Sequence, residues 1–99
     1  MSWEVTLHPL VFEEDFKKID PSSQQKIIKA IRKKLTTNPK EYGDPLRGLY
    51  REYWKLRVGE YRVVYRIEEN QVKVKVIKVG IRRNFEVYNE LAKRITKIS

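Results

Sequence analysis

Cationic side chains alternate with apolar ones in the middle of the sequence, in a pattern that could bind phosphate groups. Lys55 and Arg57 are two residues apart, and Arg62 follows a turn at Gly59. Guanidinium and ammonium groups meet phosphates, and the adjacent ring of Tyr53 could stack on a nucleobase. These residue types together favour an anionic ligand such as single-stranded RNA.

Further candidates for the same surface lie nearer the C-terminus. Arg82 and Arg83 follow an apolar run, and Tyr88 lies a few residues beyond them. Each candidate also has an ordinary structural interpretation. Lys55 could be a solvated lysine, the arginines could pair with nearby glutamates, and Tyr88 could belong to the core. From the residues alone, the prediction is a basic domain that binds RNA or another anion.

The elements that would position these cations are three consecutive strands. Alternation of apolar and polar residues predicts them over Tyr53–Val58, Tyr61–Glu68 and 72–79. Tyr53, Lys55 and Arg57 then share one face of the first strand, and its opposite face is apolar. Short turns predict an antiparallel meander, which would place Arg62 near Lys55 or Arg57.

The other segments predict a strand and three helices around this meander. Residues 3–8 alternate as a strand, and His8 before Pro9 has a capping or surface role. Helical spacing of apolar residues follows over 9–19, 21–38 and 84–98, with Asp20 as a cap and a loop over 40–51. The order β-α-α-β-β-β-α predicts one α+β domain over residues 1–99, with an antiparallel sheet packed on helices in two layers and its other face partly open.

Composition narrows the classes of ligand and of chemistry. The chain has 22 Lys and Arg against 13 Asp and Glu, a formal net charge of +9, which points to nucleic acid, an anionic membrane surface or an acidic protein. It has no cysteine and a single histidine, His8, which excludes a cysteine nucleophile and a multi-histidine metal site. No apolar run approaches a membrane span, and Glu4 near the start does not fit a signal peptide. We therefore expect a cytoplasmic protein.

Four short motifs resemble the RelE/ParE toxin superfamily. They are LRG at 46–48, YWKLRVGEYRVVY at 53–65, GIRR at 80–83 and EVY at 86–88. The predicted element order fits as well, so the resemblance covers essentially the whole chain. RelE-like ribonucleases resemble this sequence at Lys55, Arg62, Arg82 and Tyr88, a set that the gyrase-directed branch generally does not keep.

The resemblance implies the toxin of a type II toxin-antitoxin system. Such a toxin would be an mRNA interferase, a metal-independent endoribonuclease without cofactor. It would cleave mRNA in the ribosomal A site by attack of a 2′-hydroxyl on the adjacent phosphate. An acidic cognate antitoxin would bind it in a hetero-oligomer.

The resemblance also implies roles for individual residues. Lys55 would be the base or proton relay, Arg62 would grip the scissile phosphate, Arg82 would stabilise the leaving side, and Tyr88 would orient the hydroxyl or stack on a base. RNA contacts would further come from Arg47, Tyr53, Arg57 and Arg83.

One departure from the RelE pattern keeps alternatives open. RelE has a further lysine close before the one that matches Lys55, and this sequence has Tyr53 there. The division of base and phosphate-binding roles is therefore not fixed by the resemblance. A ParE-like inhibitor of DNA gyrase and a non-catalytic RNA-binding module of the same fold are the alternative functions.

Overall fold

The computed structural model describes residues 2–81 and 86–98, in which a five-stranded sheet has helices on both faces. The strands are β1 Glu4–Leu7, β2 Asp44–Pro45, β3 Tyr53–Val58, β4 Tyr61–Glu68 and β5 Lys73–Ile81. Their spatial order is β1-β5-β4-β3-β2. The α-helices are α1 Pro21–Ala30, α2 Pro39–Tyr42 and α3 Glu86–Ile98. The predicted α+β fold and the limits predicted for β3 and β4 are confirmed.

Irregular helical turns complete the chain. An N-terminal helical segment precedes α1 and contains a π-helical turn, Val11–Asp15, and a 3₁₀ turn, Phe16–Lys18. A π-helical stretch, Ile31–Leu35, continues α1. Two more 3₁₀ turns, Gly48–Tyr50 and Glu69–Gln71, flank the β3–β4 hairpin in sequence.

Of the three helical starts that the sequence predicts, the first two are capped by side chains, and the third, at position 84, lies outside the described residues. The Nδ1 of His8 accepts a hydrogen bond from the Leu10 N–H at 3.1 Å, so His8 has the predicted capping role. The Asp20 carboxylate accepts one from the Ser23 N–H at 3.0 Å, with Pro21 in the first turn of α1. Proline fits there because its missing N–H would have no partner within the helix.

The main core lies between the sheet and α1. The apolar face of β3 and β4 supplies Leu56, Val63 and Tyr65, and the helical layer supplies Ile27 and Leu35. These side chains are almost fully buried. The predicted packing of the apolar strand face on the helices is therefore confirmed.

The sheet differs from the expected one at both edges. β1 runs parallel to β5, so the sheet is mixed and is antiparallel only from β5 to β2. The helical segments that follow β1 make the parallel pairing possible, because parallel strands need a long connection and cannot be joined by a tight hairpin. At the opposite edge, the region predicted as a loop contains β2, two residues long, which pairs with β3.

The second face of the sheet is covered by α3 in part and is otherwise open, as the sequence predicts. Val87 and Leu91 of α3 pack on Val64 and Ile77 in a separate apolar cluster. Ile77 is an extra residue in β5 between the partners of Val64 and Tyr65. This irregularity puts an apolar side chain on the second face, which gives α3 a surface to bury.

Within the described residues, no helix is long and apolar enough to cross a membrane.

Candidate functional site

Four cations lie on one face of the β3–β4 hairpin: Lys55, Arg57 and Arg62, together with Arg66, which lies opposite Tyr53 and has Glu52 at 3.9 Å. Arg57 lies directly opposite Arg62, and Lys55 lies opposite Val64. Residues directly opposite each other in an antiparallel pair point to the same face, and alternate residues of one strand do so as well. Lys55, Arg57 and Arg62 therefore form one surface, which we call the cationic face. The predicted closeness of Arg62 to the cations of β3 is confirmed.

The electrostatics of the cationic face favour a bound anion. Like charges directly opposite each other on paired strands repel. In the described part of the chain, neither Lys55 nor Arg57 lies within 4.0 Å of a carboxylate. Arg66, further along β4, has Glu52 at 3.9 Å. A phosphate between Arg57 and Arg62 would relieve their repulsion and accept hydrogen bonds from both.

Three tyrosines form a cluster beside the cationic face. The ring centre of Tyr50 lies 6.5 Å from that of Tyr53 and 6.3 Å from that of Tyr88. The Tyr88 hydroxyl accepts a hydrogen bond from the backbone N–H of Arg47 at 3.3 Å. Since Tyr53 and Lys55 are alternate residues of β3, this tyrosine cluster adjoins the cations.

The loop before β3 positions Arg47 and Tyr50. The buried side chain of Leu46 anchors it to the second apolar cluster, and the Leu46 N–H donates to the Tyr53 carbonyl at 2.8 Å. Gly48 then turns the chain at a φ of +66°, a conformation that glycine adopts without strain. The turn brings Tyr50 between Tyr53 and Tyr88.

Tyr88 is both a packing residue and a candidate site residue. It is half-buried on α3, where it packs beside Val87 and Leu91. Its hydroxyl reaches the loop at Arg47. The two interpretations considered for Tyr88 from sequence are therefore compatible, because its ring belongs to the core edge and its hydroxyl faces the loop.

The structure thus places six of the eight candidate residues around one surface. Lys55, Arg57 and Arg62 form the cationic face, and Arg47, Tyr53 and Tyr88 meet around Tyr50. Arg82 and Arg83 lie outside the described residues. Sequence reasoning missed Tyr50. The only feature of the sequence that could have indicated it is its place between Arg47 and Arg51, next to a glycine turn.

Comparisons with known proteins define the class. Residues 6–84 match the family model described as the ParE toxin of type II toxin-antitoxin system, parDE. The mRNA interferase toxin RelE of Escherichia coli strain K12 is 35% identical over 83 residues, covering 83% of this chain and 86% of that protein. The chain belongs to the RelE/ParE superfamily of type II toxins.

Solved structures of RelE toxins agree with this assignment. A mutant of the E. coli toxin RelE in the free state superposes with a TM-score of 0.71 at 27% identity, over 96% of this chain and 99% of that one. A mutant of the same toxin in complex with an antitoxin RelBc peptide gives a TM-score of 0.66 at 28% identity, over 92% and 95% of the two chains. The fold of this chain is therefore the RelE fold.

Proposed function

We propose that this toxin is a metal-independent endoribonuclease that cleaves mRNA in the ribosomal A site. The observation that carries the proposal is the direct pairing of Arg57 with Arg62, with Lys55 on the same face. The similarity to the E. coli mRNA interferase toxin RelE supports it. The surface offers paired guanidinium groups for a phosphate, a lysine for proton transfer and aromatic rings for bases.

The reaction proposed is an in-line transesterification within the RNA. The 2′-hydroxyl oxygen of one nucleotide bonds to its own 3′-phosphorus, and the bond from phosphorus to the 5′-oxygen of the next nucleotide breaks. The products are a 2′,3′-cyclic phosphate and a 5′-hydroxyl. The enzyme must accept the proton of the 2′-hydroxyl, stabilise added negative charge and supply a proton to the leaving oxygen.

The residues divide these tasks by their chemistry. Lys55 takes the proton of the 2′-hydroxyl and returns a proton, through water, to the leaving 5′-oxygen, because it is the one group on the cationic face that can readily exchange a proton. Arg62 and Arg57 hold the phosphate, since arginine stays protonated and acts through charge and hydrogen bonds. In this proposal Arg82 stabilises the leaving side, and Tyr88 orients the attacking nucleotide.

We propose dependence on the ribosome because the cationic face encloses little of an RNA substrate. The cationic face lies on a sheet face that α3 covers only in part, and the single histidine, His8, serves as a helix cap. A ribosome would hold the message in the reactive geometry and so supply orientation that this small protein lacks. We also propose a cytoplasmic location and an acidic antitoxin that binds the toxin in a hetero-oligomer.

The test is cleavage of a defined message on a programmed ribosome, mapped by primer extension beside the same RNA free in solution. Lys55→Met is the site variant, and Lys26→Met, an exposed lysine on α1, is the control. We expect cuts in the A site for wild type and Lys26→Met, and a loss of roughly 10²-fold or more in Lys55→Met. Cuts in free RNA would remove ribosome dependence. No cut in either RNA would overturn the nuclease proposal.

DNA gyrase inhibition is the second candidate, because the matching family model is that of ParE toxins. A supercoiling assay with purified gyrase separates the two proposals. Inhibition of supercoiling together with an intact message would favour the gyrase inhibitor. Unchanged supercoiling with cleaved message is the result we expect.

A further inference from the structure

Leu49 is the most exposed large apolar residue in the described part of the chain. Its side chain is 93% exposed, whereas Phe12, the next in order of exposure, is 52% exposed. A single exposed leucine is common on protein surfaces and by itself indicates no function. The turn that carries Leu49 and the residues around it distinguish this leucine, because they place it beside the proposed RNA surface.

A short turn that is anchored at both ends holds Leu49 in solvent. Leu49 is the middle residue of the 3₁₀ turn Gly48–Tyr50. Buried Leu46 precedes the turn, and the Tyr50 ring at its end packs on the same apolar cluster. A Cβ at Gly48 would meet no atom within 4 Å, so glycine is used here for its positive φ and not for space. The ends of the turn are therefore fixed to the fold, while its middle residue is presented outward.

Two arginines flank Leu49 in the sequence. Arg47 and Arg51 are both exposed, and among the described residues neither lies within 4.0 Å of a carboxylate. Glu52, which follows Arg51, has Arg66 at 3.9 Å instead. An apolar side chain between two such cations suits a ligand in which apolar and anionic parts lie close together.

Leu49 continues the surface that carries the cations and the tyrosines. Along β3, Arg57, Lys55 and Tyr53 follow one another on one face. The ring centre of Tyr50 lies 6.5 Å from that of Tyr53, and Leu49 is the residue before Tyr50. The order from the paired arginines outward is thus cation, tyrosine, leucine. A single strand of RNA with a phosphate at Arg57 can pass over the tyrosines and meet Leu49 further along.

The ligand that fits this end of the surface is a nucleotide of the RNA strand. A nucleobase has a flat apolar face and is linked to a phosphate on each side, which matches a leucine between two arginines. A second copy of this chain would bring a further formal net charge of +9 to a surface that is already cationic. An acidic protein segment would meet the arginines but would leave the row of tyrosine rings without stacked partners.

We propose that Leu49 is a wedge that inserts between two adjacent bases of the bound message. It parts their stack, one base then packs on the ring of Tyr50, and Arg47 and Arg51 hold the flanking phosphates. Apolar side chains part stacked bases in the same way where proteins kink DNA. In a stacked strand the 2′-hydroxyl does not lie in line with the bond that breaks, so the parted bases bring the RNA closer to its reactive geometry. This inference rests on the proposed RNA cleavage and adds a residue that positions the strand for it.

The experiment follows base stacking with a message that carries 2-aminopurine next to the mapped cut, since the fluorescence of this base rises when it leaves a stack. The message is bound to a programmed ribosome and has a 2′-deoxynucleotide at the cut, so that binding is measured without cleavage. Leu49→Ser removes the wedge, Leu49→Met is the conservative replacement, and Phe12→Ser is the control at another exposed apolar residue. We expect the fluorescence to rise with wild type, Leu49→Met and Phe12→Ser, and to stay low with Leu49→Ser.

Cleavage of the same message with ribose at the cut gives the second readout. Leu49→Ser should lower kcat by about tenfold and change KM less, because the wedge acts on the geometry of RNA that is already bound. Thermal melts of both Leu49 variants should match wild type, since this side chain is exposed. Equal fluorescence and equal cleavage for Leu49→Ser and wild type would overturn the wedge and leave the nuclease intact. That result together with weaker antitoxin binding would assign Leu49 to a protein surface instead. No cleavage by wild type would overturn the nuclease, and the wedge with it.

Discussion

At the scale of single residues, the cationic face combines groups that do not stabilise one another. Arg57 and Arg62 are opposite members of one cross-strand pair. A like-charged pair in that position costs on the order of 0.2–1 kcal/mol relative to a neutral pair. A phosphate that bridges the two guanidinium groups changes this repulsion into two attractions.

Arg57→Gln should therefore change stability and RNA binding in opposite directions. Loss of one charge should raise the free energy of unfolding by a few tenths of a kcal/mol, roughly the repulsion removed. The same variant should bind and cleave the message more weakly, with a smaller dependence of binding on salt. Urea unfolding and a filter-binding titration measure the two effects. Lys17→Gln, at an exposed lysine of the N-terminal helical segment, is the control, and lower stability in Arg57→Gln would contradict the argument.

Tyr50 should act as a stacking residue for a nucleobase. Its ring lies between those of Tyr53 and Tyr88, beside the strand that carries Lys55. Tyr50→Leu keeps an apolar side chain but removes the ring, so binding should weaken by about 1–3 kcal/mol per stacked base. We expect a higher KM with a smaller change in kcat. Tyr42→Leu, at an exposed tyrosine outside the cluster, is the matched control, and an equal KM in both variants would exclude stacking.

At the scale of elements, the start of α1 depends on the charge of one side chain. Hydrogen bonds from the Ser23 side chain, and then from its backbone N–H, hold the pKa of the Asp20 carboxyl below its ordinary value. A carboxyl with a lowered pKa in the folded state stabilises the fold above its unfolded pKa. That stabilisation is lost as the pH falls through the folded pKa.

Asp20→Ala should therefore be less stable than wild type at neutral pH, and the difference should shrink below about pH 4. Asp20→Asn is the control, because asparagine also caps helices but carries no charge to titrate. Thermal melts of the three proteins from pH 7 to pH 3 would measure the difference. A gap between wild type and Asp20→Ala that stays constant with pH would contradict the assignment.

The elements differ in how far the sequence predicts them. β3 and β4 are predicted to the residue, because their alternation is regular and a glycine turn joins them. The cap at Asp20 is predicted for a similar reason, because the pattern that indicates it, an aspartate followed by a proline, occupies neighbouring positions in the sequence. Local patterns of this kind carry enough information to place Lys55, Arg57 and Arg62 on one face.

Other features depend on contacts between residues that are far apart in the sequence, and local sequence patterns do not predict such contacts. Pairing of β1 with β5 joins residues about 70 positions apart, and α3 finds its surface only after Ile77 interrupts the β5 alternation. Tyr50 joins the candidate site through Tyr88, which lies on a different element. The same limit applies to a buried ion pair between Asp15 and Arg94.

At the scale of the whole molecule, that ion pair closes an open edge of the sheet. β1 pairs with β5 only as far as Val76, and beyond it the Asp15 carboxylate accepts from the Val79 N–H at 2.9 Å. Arg94 of α3 donates to the Ile77 carbonyl at 2.9 Å and to Asp15 at 2.6 and 3.0 Å. Side chains thus replace the missing strand and join the N-terminal helical segment to α3. Since α3 also carries Tyr88, this contact helps to hold the tyrosine cluster in place.

Arg94→Met should be the most destabilising of the substitutions considered, by about 3–5 kcal/mol. The Arg94 side chain is 2% exposed and that of Asp15 1% exposed, so the variant would leave a buried carboxylate with only Lys78 as a cation. Lys97→Met is the matched control, because Lys97 is exposed and binds Glu14 at 2.7 Å on the outer side of the same contact. Urea unfolding should show a large loss for Arg94→Met, an intermediate loss for Arg94→Lys and little change for Lys97→Met. A loss in Arg94→Met no greater than in Lys97→Met would mean that apolar packing alone holds α3 on the sheet.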